Sequence, residues 1–540
     1  MAKQRKRPSK RPNYAVAAYA GMDITVAESV RGPAITIRYR SLAIVAYCYI
    51  VLPILIFFVS WLRWYIGVPA AVILAMGLFV LLKRNYAKNQ EFMKVPLWHL
   101  IFASILILIW LWTTDIGGCF VPSYDYPWRM AIFRDLINYR WPVIYPKTGN
   151  AFVYYITFWL VPALFGKLFG WAAGNAALFL WSYIGLILCF LLLLDFYGAR
   201  TKSKLWITVI LFAGFSGLNI VGASVTSMVG MNAYPFGLNS MESWLDKLYN
   251  GYSFNFFYRG TNEALEEIFN QIIILWVAIP LILKNKRPST FMFIGLCVFV
   301  YAPIPFIGLL PFFFLLAVVW MIQNRQHFSG GVVAREIFSI PNLSALVTVF
   351  PITYLFFTCN ISGTQFRMLP LEKFDRLRIV GLILFYIFEF GILCLIIYPK
   401  YKKTPVFYTA VLSLILIPLF ELGLQGKRDF CMNASLPALF ILMILTVLWI
   451  FENIVNQKLS LRAVVMIVVL VISILSPVQD VECKIMAAYT AHTFPIVNDS
   501  IYSFSERQAI GPDWWTQNFL VPNPETKAFY KYLARTDPKE

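Results

Sequence analysis

Charge is scarce in this chain. Only 14% of its 540 residues are Asp, Glu, Lys or Arg, against roughly a quarter in an ordinary soluble domain, which excludes water as the main solvent. Histidine is scarcer still, at three residues. With no Cys-x-x-Cys and no His-Glu-x-x-His, a zinc site has nothing to rest on. No Gly-rich phosphate loop opens a helix, so ATP-driven pumping is not expected. Carboxylates are few, 27 against 46 Lys and Arg, for a formal charge of +19. That balance would suit nucleic acid, yet the cations fall mostly in short loops between apolar runs and no nucleic-acid motif accompanies them. No nucleic-acid partner is expected, and the cations read instead as topology signals facing anionic lipid headgroups.

What the chain has in abundance is apolar sequence: 59% hydrophobic residues and a mean hydropathy of +0.68. The fold class this predicts is all-α, a polytopic transmembrane helical protein. Residues 1–40 carry Lys3, Arg5, Lys6, Arg7, Lys10 and Arg11 with no apolar stretch directly behind them, and read as a basic cytoplasmic tail. Runs long enough to cross a hydrocarbon core start near Ser41, Trp64, Leu97, Asn175, Lys204, Ile268, Phe291, Ile304, Phe338, Ile379, Pro405, Ala434 and Leu461, about thirteen spans in one domain over 41–476. With the N-terminus inside, the Lys and Arg of successive loops, from Lys83 and Arg84 to Lys458 and Arg462, all fall in the cytoplasm. This holds only if the apolar stretch 151–170 lies in the interface instead of spanning, which Pro162 and Lys167 favour. The outer segments are then 114–174, 222–267, 359–378 and 425–433, with an extracytoplasmic segment 477–540 whose Trp514, Trp515, Phe519 and Tyr530 suit folding back on the outer face. The expected localisation is the cytoplasmic membrane, N-terminus inside and C-terminus outside.

Two residue sets on that outer face invite chemistry. Asp125 follows a span and precedes a short amphipathic pattern at 130–137, which places its carboxylate near the membrane–water boundary; partial desolvation there raises proton affinity and suits a general base. Capping of the following helix, with Arg129 as ion-pair partner, accounts for Asp125 equally well. Asp135 is the weaker acid candidate beside Arg134. The second set is cationic: Arg259, Arg367, Lys373, Arg376, Arg378, Lys427 and Arg428 lie outside against the positive-inside bias, where a lipid-linked phosphate would sit. Singly, each is as readily a snorkelling residue or a partner of Glu372, Asp375 or Asp429. Tyr124, Tyr126, Trp128, Trp141 and Tyr154 could stack on a sugar or anchor in the interface. Cys48, Cys189, Cys297 and Cys394 fall in spans; Cys119, Cys359, Cys431 and Cys483 fall outside, where a disulfide is permitted.

Asp125-Tyr-Pro-Trp-Arg-Met-Ala-Ile-Phe-Arg-Asp135-Leu-Ile, the following Trp141-Pro142-Val143 and Tyr154-Tyr155, and the late Arg428-Asp429-Phe430 with Ser435-Leu-Pro437 together resemble the GT-C superfamily of integral membrane glycosyltransferases. The resemblance covers the chain from about Leu97 onward. It implies a GT-C-like fold, a polyprenyl-phosphate-linked sugar as donor, an envelope glycan, lipid or protein as acceptor, and roles by position: Asp125 as the base toward the acceptor hydroxyl, with Asp135 as a second catalytic residue, and Arg129, Arg259, Arg367, Arg376, Arg428, Trp128 and Tyr154 toward the substrate. Inversion at the anomeric carbon would follow. A divalent metal, Mg or Mn, is admitted by the resemblance, although the residues show no compact carboxylate cluster to hold one. The rival classes are a flippase or exporter of lipid-linked glycans, which should place charge within its spans, and an envelope polysaccharide polymerase or ligase.

Overall fold

Apolar runs become helices in lipid because no other local structure pairs all backbone amides within one segment. The computed structural model describes residues 32–118, 120–121, 126–228, 244, 256–325, 330–359, 366–369, 375–422, 429–455, 457–490, 503 and 519–535. Its first helices are α1 (Tyr39–Trp61), α2 (Trp64–Tyr86) and α3 (Leu97–Thr113), followed by α4 (Tyr126–Asn138) and α5 (Leu160–Phe169) in the first long connection. Then come α6 (Trp171–Tyr197), α7 (Lys202–Gly214), α8 (Asn219–Met228), α9 (Thr261–Asn285), α10 (Pro288–Phe299), α11 (Pro303–Gln323), α12 (Gly330–Ile337) and α13 (Ile340–Thr358). The last third holds α14 (Arg376–Tyr386) and α15 (Ile392–Tyr401), joined through a π-turn at Ile387–Gly391, then α16 (Pro405–Leu416), α17 (Asp429–Ala434), α18 (Leu436–Asn453) and α19 (Leu461–Thr490).

The protein is therefore a polytopic helical membrane protein. Nine helices among the described residues are long and apolar enough to cross a membrane, and ten if α7 and α8, bent by 42°, form one span. The other expected spans fall on shorter helices, α3, α10 and the Pro405–Leu419 stretch. Length and composition thus support nine or ten crossings where the sequence suggested about thirteen. The centre of the bundle is made by α9 and by the Asp429–Asn453 segment, each 94% buried, whereas α2 and α11, at 28%, turn most of their apolar surface outward.

Two features depart from the expected outline, at residues 34–38 and at residue 477, and one, the stretch 151–170, agrees with it. Part of the basic tail is structured: β1 (Ala34–Arg38) pairs antiparallel with β2 (Phe92–Pro96), Ile35 opposite Val95. The stretch 151–170 contains β3 (Ala151–Phe152), one 3-10 turn and the short α5, which buries Leu160, Ala163 and Gly166 and leaves Phe165, Leu168 and Phe169 exposed. That apolar, one-sided exposure suits an interfacial position. The boundary expected at residue 477 falls inside a helix: α19 runs on through Pro477 to Thr490, 30 residues in all, or roughly 45 Å, longer than a hydrocarbon core.

Two further strand pairs complete the picture. β4 (Phe366–Met368) lies against β5 (Phe420–Leu422), and β6 (Leu520–Val521) returns to pair with β3. The C-terminal stretch does fold back: Phe519 packs on Tyr154 with ring centroids 4.7 Å apart, Tyr530 donates its hydroxyl to Phe152 O at 2.9 Å, and the Arg63 guanidinium donates to the carbonyls of Lys531 and Ala534. Trp514 and Trp515 lie outside the described residues.

Candidate functional site

One end of the bundle gathers ionisable groups from three distant parts of the chain. Helix α3 closes with Thr113 and Thr114 returning their hydroxyls to Trp110 O and Leu111 O, and Asp115 then takes a left-handed conformation, φ 63°. Its carboxylate is 2% exposed and accepts the Phe120 amide at 2.7 Å, so it clasps the turn that leads into the first long connection. Burial pushes the Asp115 carboxyl up to about 7; the Phe120 amide and Lys484 draw it down, and Glu266 adds to the rise.

Lys484 reaches this point because α19 does not stop at the expected boundary. It ion-pairs with Glu266, in the first turns of α9, and donates to Thr113 O at 3.3 Å. Arg129 of α4 meets the same turn, with Nη1 3.6 Å from Glu267 Oε2 and 3.5 Å from Glu266 O. Trp110 donates its indole N–H to Asn262 Oδ1 at 2.9 Å. The side chains of Arg129, Glu266 and Lys484 are all largely buried, so this is a desolvated network and not a solvated rim.

The sequence-derived candidates separate into groups. Asp125 and Arg428 lie outside the described residues. Asp135 is fully buried and accepts the Tyr145 hydroxyl at 2.6 Å, an arrangement that fixes α4 on the segment behind it. Burial and the Asp135 charge push the Tyr145 phenol far up. Trp128 and Tyr154 are half-buried, Tyr154 stacked on Tyr155 at 4.5 Å. Arg367 pairs with Glu421 at 3.1 Å across the β4–β5 strand pair, and Arg376 is exposed in the first turn of α14. Arg259, 9% exposed, donates to the amide oxygen of Asn433 at 3.2 Å. The structure thus brings Arg129 to the Asp115 network and leaves Arg259 and Arg367 at sites of their own.

Asp115, Glu266 and Lys484 are groups that local reading of the sequence missed, and Glu389, legible there as a charge within a span, had no role assigned to it. The available signals were a carboxylate directly after a span and ahead of two glycines, an acidic pair at 266–267 opening an apolar helix, and the rarity of charge within a run such as 376–401. Cys359 and Cys483 are free thiols. Among the described residues no group of three or more His, Cys, Asp or Glu is placed to hold a metal ion. No family profile, curated protein or solved structure matches this chain.

Proposed function

We propose that the protein is an integral membrane glycosyltransferase that moves a sugar from a polyprenyl-phosphate-linked donor to an envelope acceptor on the extracytoplasmic face. The observation that carries this reading is Asp115: a carboxylate at the head of the first long connection that burial pushes up to about 7, suited to acid–base work at neutral pH, with Lys484 and Glu266 acting on it and Arg129 on the same turn of α9. In this reading Asp125 takes the proton of the acceptor hydroxyl as its oxygen attacks the anomeric carbon. The bond from that carbon to the lipid phosphate oxygen breaks with inversion, and cations such as Arg259, Arg367, Arg376 and Arg428 stabilise the charge left on the phosphate. Asp115 fixes the turn before Asp125 and sets the pH at which the network is negative. A divalent metal, if used, would have to come to carboxylates already facing Lys484.

Movement of a lipid-linked glycan between leaflets is the second reading, favoured by Glu389, 6% exposed within a helix long enough to span. The test is release of radiolabelled sugar from a panel of polyprenyl-phosphate donors by protein in nanodiscs. Wild type should turn over, Asp125→Asn should lose transfer, and Asp115→Asn should retain part of it with an altered pH profile. Leaflet exchange of labelled lipid without cleavage would replace the transferase reading with transport.

A further inference from the structure

A small, partly open cavity lies between the loop before α9 and the π-turn that joins α14 to α15. Ser216, Thr261, Trp276, Phe440, Arg259 and Glu389 are among its walls. Arg259 is unusual here: it is 91% buried, its hydrogen bond among the described residues goes to a neutral amide, and its fully buried Nε has no partner. A guanidinium taken out of water without a carboxylate in contact is unfavourable unless something anionic answers it. The first turn of α9, at Thr261, opens on the same space and adds its partial positive charge.

Glu389 is the answering charge at longer range. It stands in a π-turn, a local widening of the helix that re-aims side chains and recurs at functional sites. The Trp244 indole donates to its Oε1 at 2.7 Å, and its Oε2 lies where a side chain at position 217 would be, 2.3 Å from a Cβ placed on Gly217. Gly222 makes matching room for the Trp244 ring, 2.6 Å from a Cβ built there. Two glycines and an indole therefore hold a carboxylate on one wall of the cavity and a guanidinium on another, not in ion-pair contact.

We propose that this cavity is an anion site of phosphate type built on Arg259, and that Glu389 is the internal counter-charge against which the incoming anion competes. The proposal rests on the phosphate-binding half of the transferase reading and needs no sugar transfer. An anion drawn to Arg259 enters against repulsion from Glu389, so removing that carboxylate charge should raise the affinity of the site. Phosphate chemistry has two sources here, a lipid headgroup or free phosphate.

The experiment measures binding of [32P]orthophosphate and of [32P]farnesyl phosphate by scintillation proximity on the full chain in nanodiscs of zwitterionic lipid. Glu389→Gln keeps the acceptor for Trp244 and removes the charge, and should bind roughly ten-fold tighter than wild type. Arg259→Gln should bind at least about ten-fold weaker; Arg259→Lys, which keeps the charge that folding requires, should weaken binding by a smaller factor. Tighter binding of farnesyl phosphate alone assigns a lipid headgroup, and equal gains with both probes assign free phosphate. Unchanged or weaker binding by Glu389→Gln, unchanged binding by both Arg259 variants, or no binding of either probe overturns the proposal. Phosphate binding of this pattern without sugar release would leave the inference standing and the transferase reading fallen; sugar release with unchanged binding by all variants would do the reverse.

Discussion

The two ends of the bundle handle charge differently. At one end Lys284, in the last turn of α9, pairs with Asp195 and with Glu91 at 2.9 Å and stacks 3.5 Å from the Tyr39 ring, and Arg84 with Glu336 and Lys400 with Glu452 add pairs that are partly exposed. At the other end Asp115, Glu266, Lys484 and Arg129 are buried together. Pairs open to water and salt tolerate loss of a member, because solvent replaces it; a desolvated network does not. The first arrangement suits anchoring of helix ends against headgroups, and the second suits a site whose protonation matters.

Breaking each end should reveal that contrast. The largest effect is expected from Lys484→Met, which leaves two buried carboxylates facing each other and should cost about 3–5 kcal/mol of stability, read as thermal unfolding in detergent. Lys284→Met at the opposite end, where the lysine side chain is 24% exposed and Glu91 is 59% exposed although Asp195 is 7% exposed, should cost less, roughly 2 kcal/mol. Equal losses would erase the distinction drawn between the two ends.

The pH dependence sharpens it further. Between about pH 4 and about 7 the folded chain keeps a proton on Asp115 that the unfolded chain has released, so this group makes stability fall as pH rises through that window and then level off. Asp115→Asn should remove that slope and be more stable at pH 8 by on the order of 3 kcal/mol. Lys286, in the turn after α9, has its ammonium pushed down to about 8 by burial. From about 8 to about 10.5 the unfolded chain holds the extra proton, so stability should rise with pH there, and Lys286→Met should flatten that rise. A wild-type profile without a fall below neutrality would remove the basis for treating Asp115 as a titrating group. The smallest effect belongs to Arg84→Ala, under about 1 kcal/mol because the arginine is 37% exposed.

Much of the helical outline was legible from apolar runs and short basic loops. Each expected run start lies in a helix or, at Phe338, within two residues of one, and the demotion of 151–170 from a span agrees with the short α5. The end of α19 was not legible: Gln479, Asp480 and Glu482 mark the exit from an apolar environment, but a helix can leave the membrane without ending. The site was less visible, because its bonds link residues hundreds of positions apart. Lys484 meets Thr113 and Glu266, and Trp244 meets Glu389; no local pattern specifies such pairings. Asp135 illustrates the converse: beside Arg134 in sequence it looks solvated, while in the fold Tyr145 receives it in the interior. Asn433 is likewise buried in the fold, as the acceptor for Arg259, 174 positions away.

In the proposed topology the Asp115 end faces the outside of the membrane, and Cys483 reports on it directly. This thiol is exposed on the part of α19 that also carries Lys484. In a variant retaining Cys483 as its only cysteine, a membrane-impermeant maleimide should label intact cells as fully as it labels permeabilised ones. Labelling only after permeabilisation would put the Asp115 end in the cytoplasm and contradict both the topology and the extracytoplasmic chemistry built on it.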